Sequence, residues 1–315
     1  MNPLLDIRNL TVEFQVGGHI VHAVTAVSLA VQRGETLGLV GESGCGKSTL
    51  GRAVLQLYRA TSGQVLFDGQ DLGGLSGPDM RRMRKRLQLI FQDPIAALNP
   101  RRRVGDIVAE PLIIAGMKDA AERGRRVREA LSNVGLDPDT TIARLPHEFS
   151  GGQCQRISIA RALILEPELI VCDEPVSALD VSIRAQIINL LEDMKDRYGL
   201  TLLFIAHDLA VVKAVSDRIA VMYLGRICEV APTEALFRSP AHPYTRLLLD
   251  AIPLPDPDMR PAEGVAIGEP PSPIAPPSGC RFRTRCPRAT ERCASEMPEL
   301  TPLAGGQMVA CHDPL

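Results

Sequence analysis

The sequence carries almost no surplus charge. Its 35 Lys and Arg stand against 37 Asp and Glu, a formal net charge of -2, and the isoelectric point is about 6.3. Bulk electrostatics therefore offers nothing to a polyanion, and no nucleic-acid partner is expected. No apolar run approaches the ~18 residues of a membrane-spanning helix, so no part of the chain is expected to cross a bilayer unaided. The start, Met1-Asn2-Pro3-Leu4-Leu5-Asp6, lacks a basic stretch followed by a long apolar one, and no signal peptide is expected. A cytoplasmic chain follows, in which the eight cysteines are not expected to form structural disulfides. Apolar residues are plentiful, at 45% of 315 residues, enough for one large domain or two moderate ones.

The most informative stretch is Gly41-Glu42-Ser43-Gly44-Cys45-Gly46-Lys47-Ser48-Thr49. It follows the apolar run of residues 36–40, which reads as a short buried strand, and precedes residues 50–57, which can continue as a helix. Strand, glycine-rich turn and helix are the context of a phosphate-binding loop. Glycines at 41, 44 and 46 let the backbone curl so that successive N–H groups face phosphate oxygens, and the helix dipole adds to that field. Lys47 can then reach the β- and γ-phosphates and the Ser48 hydroxyl can ligate Mg²⁺. The loop by itself indicates nucleotide binding without separating kinase, GTPase and transport ATPase.

Upstream, residues 4–14 and 20–31 alternate as half-buried strands do. Phe14 either stacks on an adenine ring or is one more inward-facing strand residue. Downstream, a turn is expected at residues 61–63, a strand at 64–67, a basic helix at 78–85 and a strand at 87–91 that ends in Gln92, a cap or a contact to Mg²⁺ or water. From about 95 to 165 the texture is helical, with one helix running from Val104 up to Pro111 and an amphipathic one over 120–134. Ser150-Gly151-Gly152-Gln153 opens another helix, where a capping hydroxyl and free N–H groups make either a second anion site or an ordinary helix cap. Residues 169–172 are an apolar run that suits a central parallel strand, followed by Asp173, which can hold Mg²⁺, and Glu174, placed to orient or deprotonate an attacking water. Another buried strand over 200–206 delivers His207 to the end of the sheet where ligands bind. Residues 218–223 and 226–231 suggest a closing hairpin around Gly225.

Taken together, these residues resemble the ATP-binding subunit of ABC transporters. Residues 41–48 look like Walker A, Gln92 the Q-loop, residues 150–153 the signature, and 169–173 Walker B followed by the catalytic glutamate, Glu174. Residues 177–180 look like the D-loop and His207 the switch histidine. The resemblance implies an α/β P-loop ATPase core with a mixed sheet over residues 1–240, an inserted helical subdomain at about 95–165, and a small cysteine-containing extension over 241–315. It also implies head-to-tail pairing of two subunits, with ATP between the Walker A of one and the signature of the other. Cys154 departs from the family, which usually carries a basic residue there, and puts a contact at the pairing interface in doubt.

Gln92-Asp93-Pro94, Leu98-Asn99-Pro100-Arg101 and His242-Pro243-Tyr244-Thr245-Arg246 are similar to importers of di- and oligopeptides, especially the second of their two ATPase subunits. The implied partners are a homologous second ATPase, two transmembrane permeases and an extracytoplasmic substrate-binding protein, with the chain peripheral on the cytoplasmic face of the inner membrane. Relatives move nickel chelates, glutathione and sugars, so the solute stays open; a soluble ATPase acting on DNA or ribosomes, or a redox-responsive regulator, are the competing classes. Beyond a proline-rich connector over 253–277 lie Cys280, Cys286, Cys293 and Cys311. No tight Cys-x₂₋₄-Cys pair of the zinc-ribbon kind is present, and three states are open: a [4Fe–4S] cluster, zinc, or unligated thiols. The resemblance favours the cluster, since some peptide-importer ATPases with a similar tail carry one. Its expected role is to fold a tail too small to bury its own core, with Pro287 and flanking arginines shielding the sulfur.

Overall fold

The computed structural model describes residues 2–252 and 268–315, so that residues 253–267 of the proline-rich connector lie outside the described residues. The chain divides into two compact units, Met1–Gly73 with Ile205–Leu315, and Gly74–Phe204.

In the first unit, β1 (Leu5–Val16) and β2 (His19–Val31) are the two expected half-buried strands. Leu5, Ile7, Leu10 and Val12 of β1 are buried, and the register shifts around Asn9, which adopts φ 46. A short polar residue tolerates that left-handed conformation, and the extra residue re-aims the strand. The apolar run of residues 36–40 forms β3 (Thr36–Val40), buried along its whole length, and α1 (Lys47–Val54) follows the glycine loop. The turn expected at 61–63 is instead the start of β4 (Ser62–Phe67). Gly63 sits there at φ +87 because a Cβ would fall 2.4 Å from the Asn9 carbonyl oxygen of β1, so the glycine marks a close strand approach. With β5 (Gln70–Asp71) these strands make an antiparallel sheet in the order β2-β1-β4-β5.

The second unit opens with α2 (Gly77–Arg86), capped by the Ser76 side chain, and β6 (Leu87–Ile90). Then α3 (Val104–Ile114) runs straight through Pro111, where the sequence predicts its end. Val104, Ile107, Val108 and Leu112 are buried, and the Ala115 N–H still reaches the Pro111 carbonyl at 2.9 Å, so packing on both sides of the proline outweighs one missing hydrogen bond. The amphipathic stretch is α4 (Ala120–Asn133), with Val127, Ala130 and Leu131 buried and Asp119 as its cap. After α5 (Pro138–Thr141) come α6 (Gly151–Leu163), β7 (Leu169–Asp173), α7 (Val181–Tyr198) and β8 (Thr201–Ile205). β6 pairs with β7 in parallel and β8 lies on the other side of β7. Both β7 and β8 are buried at every residue, as the continuous apolar runs require.

The chain then returns to the first unit with α8 (Leu209–Val215), β9 (Arg218–Tyr223) and β10 (Arg226–Pro232). β9 is parallel to β3 and antiparallel to β10. The hairpin turn is Leu224-Gly225, with φ 43 and 80, positive at both residues as a two-residue primed turn demands. α9 (Thr233–Arg238) and α10 (Pro243–Asp250) follow, and beyond the connector α11 (Glu291–Ser295), β11 (Thr301–Pro302) and β12 (Met308–Val309). β12 pairs with β10 and β11 with β12, so the last strands extend the sheet that holds β3 and β9. No helix among the described residues is long and apolar enough to cross a membrane.

Candidate functional site

Residues 41–46 join β3 to α1 as a tight loop, and Lys47, at the start of α1, folds back into it. Lys47, only 4% exposed, donates its ammonium N–H groups to the carbonyls of Gly41 at 2.7 Å and Glu42 at 3.0 Å. Gly46 takes φ 106, where a Cβ would lie 2.1 Å from the Ala23 carbonyl oxygen; no side chain fits. The loop is pinned at Cys45, whose carbonyl accepts the Gly225 N–H from the β9–β10 turn at 2.8 Å. Burial raises the Cys45 thiol, against the pull of the Lys47 charge, so it stays a small neutral core residue. α1 begins with no side-chain cap and no acidic residue in its first turn. A helix start with no side-chain cap and no first-turn acid, beside a buried lysine, has the geometry that suits a nucleotide's phosphates. Ser48 and Thr49 stand in that first turn.

Glu42 is the loop's one acid, and residues far along the chain hold it. Its N–H donates to the Tyr244 hydroxyl at 2.9 Å, and its carboxylate accepts from Arg285 at 2.9 Å. Arg285 lies over the rings of Tyr223 and Phe282, at 5.7 and 6.0 Å. Sequence reasoning missed both partners; the available signal was an unexplained carboxylate inside a loop that fits phosphate. Phe14 of β1 meets Tyr58 edge to face at 5.3 Å and is half-buried. His207 is exposed just before α8, whose start is capped by Asp208.

In the second unit, Asp173 ends β7 and is 1% exposed. Glu174 follows at φ 48, a conformation that costs a non-glycine residue energy and is found where surroundings over-determine it. Its carboxylate accepts the Gln92 side-chain N–H at 3.1 Å, so the structure brings together two residues 82 positions apart that the sequence singles out separately. Ser177 adds a hydroxyl bond to the Glu174 carbonyl at 3.1 Å. At the start of α6, Ser150 accepts the Gln153 N–H and Gln153 accepts the Ser150 N–H, a reciprocal capping box. That leaves the N–H groups of Gly151 and Gly152 as the first-turn donors. Cys154 is 1% exposed and its thiol donates to the Pro146 carbonyl at 3.5 Å. The Cys172 thiol, wholly buried, is pushed up to about 12 by desolvation, and that of Cys228 is raised by the same cause; both are core residues.

The expectation of an iron–sulfur cluster is corrected by the structure. Among the described residues no group of three or more His, Cys, Asp or Glu side chains is placed to hold a metal ion. Cys280, Cys286, Cys293 and Cys311 do line one cavity, but its volume is about 10 Å³, room for about one water. Burial raises the thiols of Cys280, Cys286 and Cys311. The arginines expected to offset cluster charge are engaged elsewhere: Arg281 with Leu224 and Thr25, Arg285 with Glu42, Arg288 with Asp313. The tail has an aromatic core, in which Phe282 packs against Tyr223 and Tyr244 with ring centroids 5.3 Å from each and against His242 at 5.8 Å.

Residues 24–177 match the family model described as ABC transporter, and residues 228–293 the one described as oligopeptide/dipeptide transporter, C-terminal region. The chain is 52% identical to the oligopeptide transport ATP-binding protein OppF of Escherichia coli, over 94% of this chain and 92% of that one. It is 55% identical to a putative peptide import ATP-binding protein of Brucella ovis, over 98% and 97%. Among solved structures, the dimeric ATP-binding cassette MJ0796 bound to ADP and Pi superposes with a TM-score of 0.67 at 29% identity, covering 73% of this chain and 98% of that one. The cbiO1 protein of Clostridium perfringens matches with a TM-score of 0.67 at 28% identity, covering 76% and 92%. The chain belongs to the ATP-binding proteins of the ABC transporter family, in the oligopeptide/dipeptide branch. It is an ABC ATPase with the α/β P-loop fold, and that membership implies ATP with Mg²⁺, membrane permeases as partners, and association with a membrane.

Proposed function

We propose that the chain is the ATP-hydrolysing subunit that powers uptake of di- and oligopeptides, working with a homologous second ATPase, two permeases and an extracytoplasmic binding protein at the cytoplasmic face of the inner membrane. The observation that carries this reading is the union, in one chain, of an uncapped phosphate loop and a tail matching the oligopeptide/dipeptide transporters. Residues 1–240 form the ATPase domain, with a helical subdomain at about 95–165, and 241–315 the extension.

In this reading Lys47 releases the carbonyls of Gly41 and Glu42 to meet the phosphates, and the N–H groups of residues 43–49 cradle them. Ser48, Gln92 and Asp173 would hold Mg²⁺, which neutralises phosphate charge. Phe14 stacks on the adenine, steadied by Tyr58. Glu174, aimed by the Gln92 amide, orients and deprotonates the water, and His207 assists at the γ-phosphate. Residues 150–153 serve the nucleotide of the facing subunit: their spare N–H groups are those of Gly151 and Gly152.

The test is reconstitution of the whole transporter in vesicles, supplied with ATP and a labelled tripeptide. The wild type takes up the peptide. With Glu174→Gln, and the sibling's equivalent glutamate also neutralised, ATP still binds but turnover falls by about 10²-fold or more, because an amide cannot take the proton. Normal turnover in the variant would remove Glu174 from its role. Uptake of a nickel chelate, glutathione or sugar in place of peptide would move the chain to one of those importers.

A further inference from the structure

A phosphate-binding loop is an unfavourable place for a carboxylate. Glu42 lies one residue after Gly41 and between the loop's own donors, so an ionised Glu42 repels the anion that the loop exists to bind. The structure shows what relieves it. Arg285 reaches in from the C-terminal extension, its side chain 8% exposed, to the Glu42 carboxylate, which is 24% exposed. Stacking on Tyr223 and Phe282 holds the guanidinium in place. Tyr244 accepts the Glu42 N–H, which takes that one donor out of the loop's set and fixes its backbone. The extension also walls the loop from outside, with residues 269–273 and residues 42–45 facing each other across a cavity of about 480 Å³.

We propose that Arg285 is a positioning residue for the nucleotide: the C-terminal extension sets the affinity of the phosphate loop by neutralising Glu42 through Arg285 and by holding the Glu42 backbone through Tyr244. The inference rests on the reading of residues 41–49 as the ATP site. A pair this sheltered from water is screened less than a surface pair, and removal of one partner leaves the other's charge uncompensated. A bare Glu42 then opposes each added phosphate charge, so the loss must grow from ADP to ATP.

The experiment measures binding of ADP and ATP, with Mg²⁺, to the full chain by calorimetry. Arg285→Ala is expected to weaken ATP by about tenfold and ADP by less. Arg285→Lys keeps most of the affinity. Glu42→Gln alone, with Arg285 now uncompensated, tightens ATP severalfold, and this variant serves should Arg285→Ala fail to fold. Adding Glu42→Gln to Arg285→Ala restores ATP to near the wild-type value, which a merely structural defect in the tail would not allow. Equal losses for ADP and ATP, no rescue in the double variant, or no tightening in Glu42→Gln would each overturn the proposal. Lys47→Ala provides the separate check: if it binds ATP as the wild type does, the reading of the loop is what fails.

Discussion

His242 shows how one residue ties the extension to solution conditions. It is 1% exposed, its Nδ1 accepts the Tyr244 N–H at 3.0 Å to cap α10, and its own N–H donates to the buried Glu229 carboxylate at 2.8 Å. Burial pushes the imidazole down to about 4, against a weaker upward pull from the Ala310 backbone. The unfolded chain, with an ordinary value of 6.5, therefore binds the proton first as pH falls. Stability from this residue is complete above pH 6.5, drains away between 6.5 and 4, and is lost below. The expected loss is roughly 3 kcal/mol over that window. Glu229 works in the opposite sense, since desolvation raises it and the folded state then gains its proton early. The informative measurement is the difference between wild type and His242→Asn, which keeps a capping oxygen: urea midpoints followed from pH 7 to 4 should fall more steeply in the wild type. Parallel curves would show that His242 does not titrate in this way.

At the scale of elements, local signals were good guides wherever local physics decides. The capping box of Ser150 and Gln153, the all-apolar strand before Asp173, and the turn at Gly225 sit where residue type alone puts them. Pro111 misled because propensity for stopping a helix is weaker than four buried aliphatic contacts around it. Gly63 misled because a glycine needed for close approach of another strand is indistinguishable, in sequence, from a glycine in a turn. In the tail, cysteine spacing suggested a ligand set, but spacing does not show which side chains the fold places together, and among the described residues none are placed to hold a metal ion. Nor does it show that β12 pairs with β10, which closes the tail onto an existing sheet. The extension therefore depends on its aromatic cluster. Phe282→Ala, at a site 1% exposed, should cost about 3–5 kcal/mol in urea unfolding, and Cys286→Ala less than about 1. The reverse order would mean that the cysteines, after all, hold this element together.

At the scale of the whole molecule, the Gly151 and Gly152 donors have no use in a solitary subunit under the proposed pairing. Dilute purified chain should hydrolyse ATP slowly, with a rate per chain that climbs with concentration or on addition of the sibling ATPase and permeases. A full rate, independent of dilution, would show that each chain completes its own site. Synthesis adds a constraint in time. Glu42 and Arg285 lie 243 residues apart, and the ribosome makes Glu42 first. At ordinary elongation speeds the phosphate loop exists for on the order of ten to fifty seconds before its counter-charge has been polymerised. Under the proposal, a nascent chain thus carries a discouraged nucleotide site until Arg285 has been added. The nucleotide site then gains its full affinity only once Arg285 has emerged and closed on Glu42.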